Sequence, residues 1–145
     1  MQSANIVPSV VRPAGRGLNI GLWMAQIVLA LMFGLAGVMK TTQPIAELAQ
    51  KLVWPGAVPP GLVRFIGTAE FLGALGLVLP SVTRVRPRLT PLAAAGLVTV
   101  MALASVFHLM RGEFNAIAFN LVLGSAAAFV AWGRYRQAPL APRGS

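Results

Sequence analysis

Four long apolar runs, Ile20–Met39, Leu62–Leu79, Leu92–Met110 and Phe114–Trp132, fill more than half of the 145 residues. A helix needs about 20 apolar residues to cross a hydrocarbon core of about 30 Å. Backbone polar groups in lipid must be satisfied within the helix itself. The runs therefore predict an all-α chain, an integral membrane four-helix bundle. Charged residues make up only 10% of the sequence, against about 25% in soluble domains, so there is too little polar surface to face water. Each run has a stop: Lys40, Pro80, Arg111-Gly112 and Gly133-Arg134. The break between the third and fourth runs is tight, which makes those helices antiparallel neighbours.

The organisation follows from these limits. Residues 1–19 form a polar N-terminal segment, disordered or lying on the surface; residues 20–133 form the membrane domain; residues 134–145 form a basic C-terminal tail. The first run is too long for a cleaved signal peptide, and no small-residue cleavage site follows it. In the loop Thr41–Gly61, Ile45, Leu48, Ala49 and Leu52 recur at helical spacing, which predicts a short amphipathic helix on the membrane surface or dipping in as a lid. Thr42 or Gln43 is its expected cap, with Pro44 in the first turn. Arg12, Arg16, Arg84, Arg86, Arg88, Arg134, Arg136 and Arg143 fall on one side of the bundle, and Lys40, Lys51, Arg64 and Arg111 on the other. The positive-inside rule places the richer side, and both termini, in the cytoplasm, the expected location being a bacterial cytoplasmic membrane. The same clustering at span ends explains the net charge of +9 without nucleic acid. Small-xxx-small pairs (Ala30 and Gly34, Ala69 and Gly73, Gly124 and Ala128) allow close helix approach and permit a homodimer.

The chain has no cysteine, one histidine and three acidic residues. Disulfides, thiolate chemistry and cysteine-ligated metals are excluded, and a self-contained metal site lacks ligands. No intrinsic cofactor is expected, and any redox role must borrow its electron carrier.

The remaining polar residues converge on one half of the membrane. Lys40 closes the first span there and Arg64 opens the second, with Glu70 about 9 Å deeper along the helix. His108 lies within a turn of the end of the third span, and Glu113, Asn115 and Asn120 open the fourth. The other halves of the spans read as nearly devoid of such groups. Glu70 shares a face with Gly67, Gly73 and Ala74; Asn120 with Glu113, Ala116 and Gly124; Lys40 with Gly37, Phe33, Ala30 and Gln26. These faces pack inward. A lone carboxylate at this depth costs on the order of 3 kcal/mol on insertion scales, so Glu70 needs a partner. Lys40 and Arg64 are the candidates, although Arg64 lies about 120° away around its own helix. The bland alternatives are a structural ion pair at Glu70, snorkelling by Lys40 and Arg64, a packed imidazole at His108, a helix cap at Asn115 and a solvated loop residue at Glu113.

The segments Phe33-Gly34-Leu35-Ala36-Gly37-Val38-Met39-Lys40 and Val63-Arg64-Phe65-Ile66-Gly67-Thr68-Ala69-Glu70-Phe71-Leu72-Gly73-Ala74-Leu75-Gly76-Leu77-Val78-Leu79-Pro80, followed by Leu89-Thr90-Pro91 and Val106-Phe107-His108, resemble the DoxX-like family of small four-helix membrane proteins. The resemblance covers roughly Leu22–Trp132. It implies a four-helix bundle in which Lys40, Arg64, Glu70 and His108 carry the polar signature. It also implies a link to membrane redox complexes, including a thiosulfate:quinone oxidoreductase, and hence an oxidoreductase partner and a quinone. The absence of cysteine argues against a thiol-based role.

Three functions fit these residues. The first is binding of a lipid, quinone or isoprenoid-like molecule whose head meets Lys40, Arg64, Asn115, Asn120 and Gln26 alongside Glu70 and His108, as a free-standing protein or a redox-complex subunit. The second is a cofactor-free isomerase, cyclase or epoxide-opening enzyme with Glu70 and His108 as acid and base. The third is an assembly protein whose polar residues lock the bundle. A transporter fits less well, because four helices are few and no inverted repeat is visible.

Overall fold

The computed structural model describes residues 15–144; the expectations for residues 1–14, Arg12 among them, and for Ser145 lie outside the described residues. Helix α1 spans Arg16–Thr42, α2 Ile45–Leu52, α3 Pro60–Thr83, α4 Leu89–Met110 and α5 Phe114–Trp132. A 3-10 turn, Trp54–Ala57, follows α2, and a π-helical turn, Gly133–Gln137, extends α5. There is no strand among the described residues. The four long helices are apolar enough to cross a membrane, and the molecule is an integral membrane four-helix bundle with a short fifth helix. An even number of crossings puts Gly15 and the Gly133–Gln137 turn at one end, here the terminal end. Helix α2 and the α4–α5 turn lie at the other, the α2 end.

Packing is sequential: α1 lies on α3, α3 on α4, α4 on α5, and a thinner seam between α5 and α1 closes the bundle. Leu29, Phe33, Leu77, Ala94, Leu97, Ala127 and Val130 form the buried centre. Met24, Leu31, Leu35, Leu72, Leu92, Leu103 and Val122 are each more than half exposed and ring the outside. Water would disfavour that surface; lipid does not.

Two boundaries differ from those read in the sequence. Arg16–Asn19 is the first turn of α1 rather than part of a surface segment, because the Asn19 side chain is held by a tertiary hydrogen bond from Arg134. Pro80 does not stop its helix: α3 runs on to Thr83. The proline removes only the bond to the carbonyl four residues back, and Ser81 just beyond it is anchored in a buried network. The C-terminal residues fold back as well, with the Arg143 N–H donating to the Arg84 carbonyl at 3.1 Å. At the start of α2 the expected side-chain cap is absent; Thr42 ends α1 and Pro44 is the flanking residue.

At the α1–α3 crossing, backbone closely approaches backbone. A Cβ placed on Gly37 would lie 2.6 Å from the Gly67 carbonyl oxygen and 2.7 Å from the Phe71 nitrogen. A Cβ on Gly67 would meet the Lys40 Cβ at 2.6 Å. Both obstacles at Gly37 are backbone, which cannot swing aside. Gly37→Ala should therefore lower the melting temperature in detergent, at a cost of about 1–3 kcal/mol for overpacking. Gly96→Ala, whose Cβ would meet nothing within 4 Å, should leave it unchanged or slightly raised. Equal effects of the two substitutions would refute the close crossing.

Candidate functional site

The Gly37–Gly67 crossing is what brings Lys40 to Glu70. With no side chain at Gly67, the Lys40 stem lies flat on α3 and its ammonium reaches the carboxylate one turn further along. Nζ sits 2.7 Å from Oε1 and 2.6 Å from Oε2 of Glu70. Both side chains are buried, Glu70 almost wholly. Lys40, and not Arg64, is thus the partner of Glu70. Arg64 turns outward around α3, and its Nη1 donates to the Lys40 carbonyl at 2.6 Å. That contact satisfies one of the free carbonyls at the C-terminal end of α1.

His108 is positioned by the α4–α5 turn. Gly112 adopts φ +71°, its N–H donates to the Leu109 carbonyl, and the Glu113 N–H donates to the His108 carbonyl. This pair of bonds is a Schellman closure, which needs a left-handed residue at the position Gly112 occupies. It folds Glu113 back over the last turn of α4, where Oε2 lies 2.5 Å from His108 Nδ1 and Oε1 accepts from Arg111 Nε at 2.8 Å. Glu113 is therefore a clasp across the turn rather than a solvated loop residue. The His108 and Arg111 hydrogen bonds hold its carboxyl below the usual carboxylate range. Among the described residues, His108 Nε2 has no protein partner.

Between these two pairs lies a cavity of about 270 Å³. Lys40, Glu70, His108 and Asn120 contribute its polar lining, and Phe33, Met101 and Leu123 its apolar floor. Asn120 is buried and its Nδ2 has no hydrogen-bond partner. Met32 of α1 and Phe119 of α5 line the cavity and are also exposed on the bundle surface, so it opens sideways at the α1–α5 seam. Leu52 and Trp54 cover it from the α2 end. The Trp54 ring lies 5.6 Å from Lys40 Nζ, a cation–π contact, and packs edge-on against Phe107 at 6.5 Å. Val53, which joins α2 to the Trp54 turn, holds φ +63° and ψ −53°, a strained backbone for a β-branched residue.

The structure thus brings four of the seven expected site residues together: Lys40, Glu70, His108 and Asn120. Arg64 lies just outside. Asn115 is exposed and does not line the cavity; it lines an outer groove with Leu52, Val53 and Glu113 that shares Leu52, His108 and Ala116 with the cavity. Gln26 is at the far end of the bundle. Its Nε2 donates to the Leu77 carbonyl and to Ser81 Oγ, and its Oε1 accepts from Arg134 Nε at 2.6 Å. Ser81 continues to Thr90 at 2.8 Å. The terminal half is therefore not devoid of polar groups: a buried network ties α1, α3, α4 and the turn after α5. Hydropathy alone concealed it, because basic residues at span ends ordinarily face headgroups. Arg134 is 3% exposed, with the Trp23 ring 5.3 Å from its guanidinium.

A family model described as the DoxX-like family matches residues 24–130. The chain belongs to the DoxX-like family. No curated protein and no solved structure gives a match. In this DoxX-like chain the residues that carried the resemblance, Gly37, Lys40, Gly67 and Glu70, are those of the tight crossing and its ion pair.

Two measurements test this geometry. Lys40→Met leaves a buried carboxylate unpaired and should cost about 3–5 kcal/mol of stability. Adding Glu70→Gln should restore most of the lost melting temperature; strictly additive losses would show that the pair is not coupled. The second concerns Glu113. Its carboxyl is held low in the folded chain, so its stabilisation is complete above the ordinary carboxylate pKa and is lost as pH falls through the lowered value. Melting temperatures followed from about pH 7 to about pH 3 should fall less steeply for Glu113→Gln than for wild type.

Proposed function

We propose that this DoxX-like protein binds a hydrophobic small molecule, a lipid, quinone or isoprenoid, which reaches the cavity sideways from the bilayer. Its polar head meets Asn120, His108 and the Lys40–Glu70 pair. The observation that carries this reading is the Asn120 amide, which is buried against the cavity with Nδ2 unpartnered. A buried amide without a partner costs about 1–3 kcal/mol, a cost that a ligand carbonyl or hydroxyl would offset. Few polar groups in an apolar recess are the usual make-up of a small-molecule site. With a quinone as ligand, the protein would serve as a subunit presenting it to an oxidoreductase. The arginine-rich terminal end favours an orientation with both termini in the cytoplasm.

A second reading, acid–base turnover of an apolar substrate, is favoured by one feature. Glu113 fixes the Nδ1 side of His108 and leaves Nε2 free, the arrangement that orients a general base. In this reading His108 moves the proton, and Glu70, held by Lys40, supplies fixed charge.

The test is solvent extraction of the detergent-purified protein, with bound molecules identified by mass spectrometry in wild type and Asn120→Leu. Wild type should yield one defined lipid, quinone or terpenoid. Asn120→Leu should lose it while melting higher, because the unpartnered amide is gone. Identical extracts from the two proteins would sink the binding reading. If the retained molecule is converted on incubation, and His108→Gln abolishes conversion but not retention, the second reading holds.

A further inference from the structure

All three carboxylate side chains of the protein, Glu47, Glu70 and Glu113, sit at the α2 end. The terminal end holds Arg16, Arg84, Arg86, Arg88, Arg134, Arg136 and Arg143 among the described residues, and no acidic side chain. The ion pairs among the described residues all lie at the α2 end. The arginines of the terminal end must find their counter-charge outside the fold.

Two of them share a groove. Between the start of α4 and the turn after α5 lies an open recess of about 520 Å³. Arg88 and Arg136 supply its charge, Trp132 and Tyr135 its aromatic wall, and Leu92 and Ala95 an apolar strip along α4. Among the described residues, neither arginine nor the Tyr135 hydroxyl has a hydrogen-bond partner. Leu92 is 66% exposed and faces the lipid side of the bundle. Two unpaired guanidiniums and a free phenol stand at the terminal end of the apolar spans, with an apolar strip beside them along α4.

We propose that this groove is a binding site for one anionic phospholipid. Arg88, Arg136 and the Tyr135 hydroxyl hold its phosphate, and an acyl chain lies along Leu92 and Ala95. Guanidinium groups suit phosphate because they donate pairs of hydrogen bonds. Basic recesses between helices at the membrane surface favour anionic headgroups. A free phosphate would use the arginines alone and leave the apolar strip bare, and the strip is what selects a lipid. This site is separate from the cavity at the α2 end and does not depend on the ligand proposed there.

The experiment compares the full chain with two double variants of equal net charge. One is Arg88→Gln/Arg136→Gln; the other is Arg84→Gln/Arg86→Gln, whose side chains lie outside the groove. Phosphatidylglycerol, phosphatidylcholine and inorganic phosphate are titrated against each protein in detergent, with native mass spectrometry and melting temperature as readouts. Wild type and Arg84→Gln/Arg86→Gln should each retain one phosphatidylglycerol and melt higher in it than in phosphatidylcholine. Arg88→Gln/Arg136→Gln should bind it about tenfold or more weakly. That variant should keep the wild-type melting temperature in phosphatidylcholine, which establishes that it is folded. Equal weakening in both double variants would mean diffuse attraction to a basic surface and overturn the site. Equal retention of phosphatidylcholine, or the same stabilisation by inorganic phosphate alone, would overturn the lipid.

Discussion

The Lys40–Glu70 ion pair sets the terms for the rest of the bundle. A carboxylate within the membrane is tolerated only with a partner close by, and here both of its oxygens receive the same ammonium. The contact requires the lysine stem to lie on α3 where Gly67 offers no side chain, and α3 to approach α1 where Gly37 offers none. Register, rotation and distance of the first two crossing helices are fixed together. The consequences extend outward. Arg64 reaches the end of α1 from its neighbouring helix, and Trp54 settles over the ammonium, which seats the short helix α2 above the cavity.

The number and placement of the membrane helices were legible because a bilayer reduces the problem to one dimension. Apolar length decides what crosses, and little else in the sequence is that long. The inward faces of Lys40, Glu70 and Asn120 were legible too, since small residues mark where helices approach. What stayed hidden depends on contacts that no periodicity records. The choice of Lys40 over Arg64 is made by the stem-sized gap at Gly67. The burial of Arg134 depends on Gln26 and Asn19, residues more than a hundred positions away. Glu113 looked solvated because the Gly112 turn that folds it onto His108 is a backbone event. The apolar walls of the cavity carry no signal either, because spans that are hydrophobic all round have no distinguishable face.

The two ends of the bundle solve the same problem in opposite ways. At the terminal end, Gln26, Ser81, Thr90 and Arg134 interlock helices that are distant in sequence, and the Gln26 amide is satisfied on both its donor and acceptor sides. At the α2 end the polar groups are paired within short reach, Lys40 with Glu70 and His108 with Glu113, and Asn120 is left over beside open space. The terminal network leaves one buried nitrogen unmet, Arg134 Nη2, within packed helices, whereas the unmet Asn120 amide lies beside a recess.

The cavity also has an unusual place in the order of synthesis. Its side opening is made by α1 and α5, in chain order the first and the last of the four membrane helices among the described residues. The ion pair between α1 and α3 can form while the chain is still growing, so half of the polar lining is ready early. His108 and Asn120 arrive only with α4 and α5. A molecule that needs both halves can recognise only a bundle in which α1, α3, α4 and α5 are all in place.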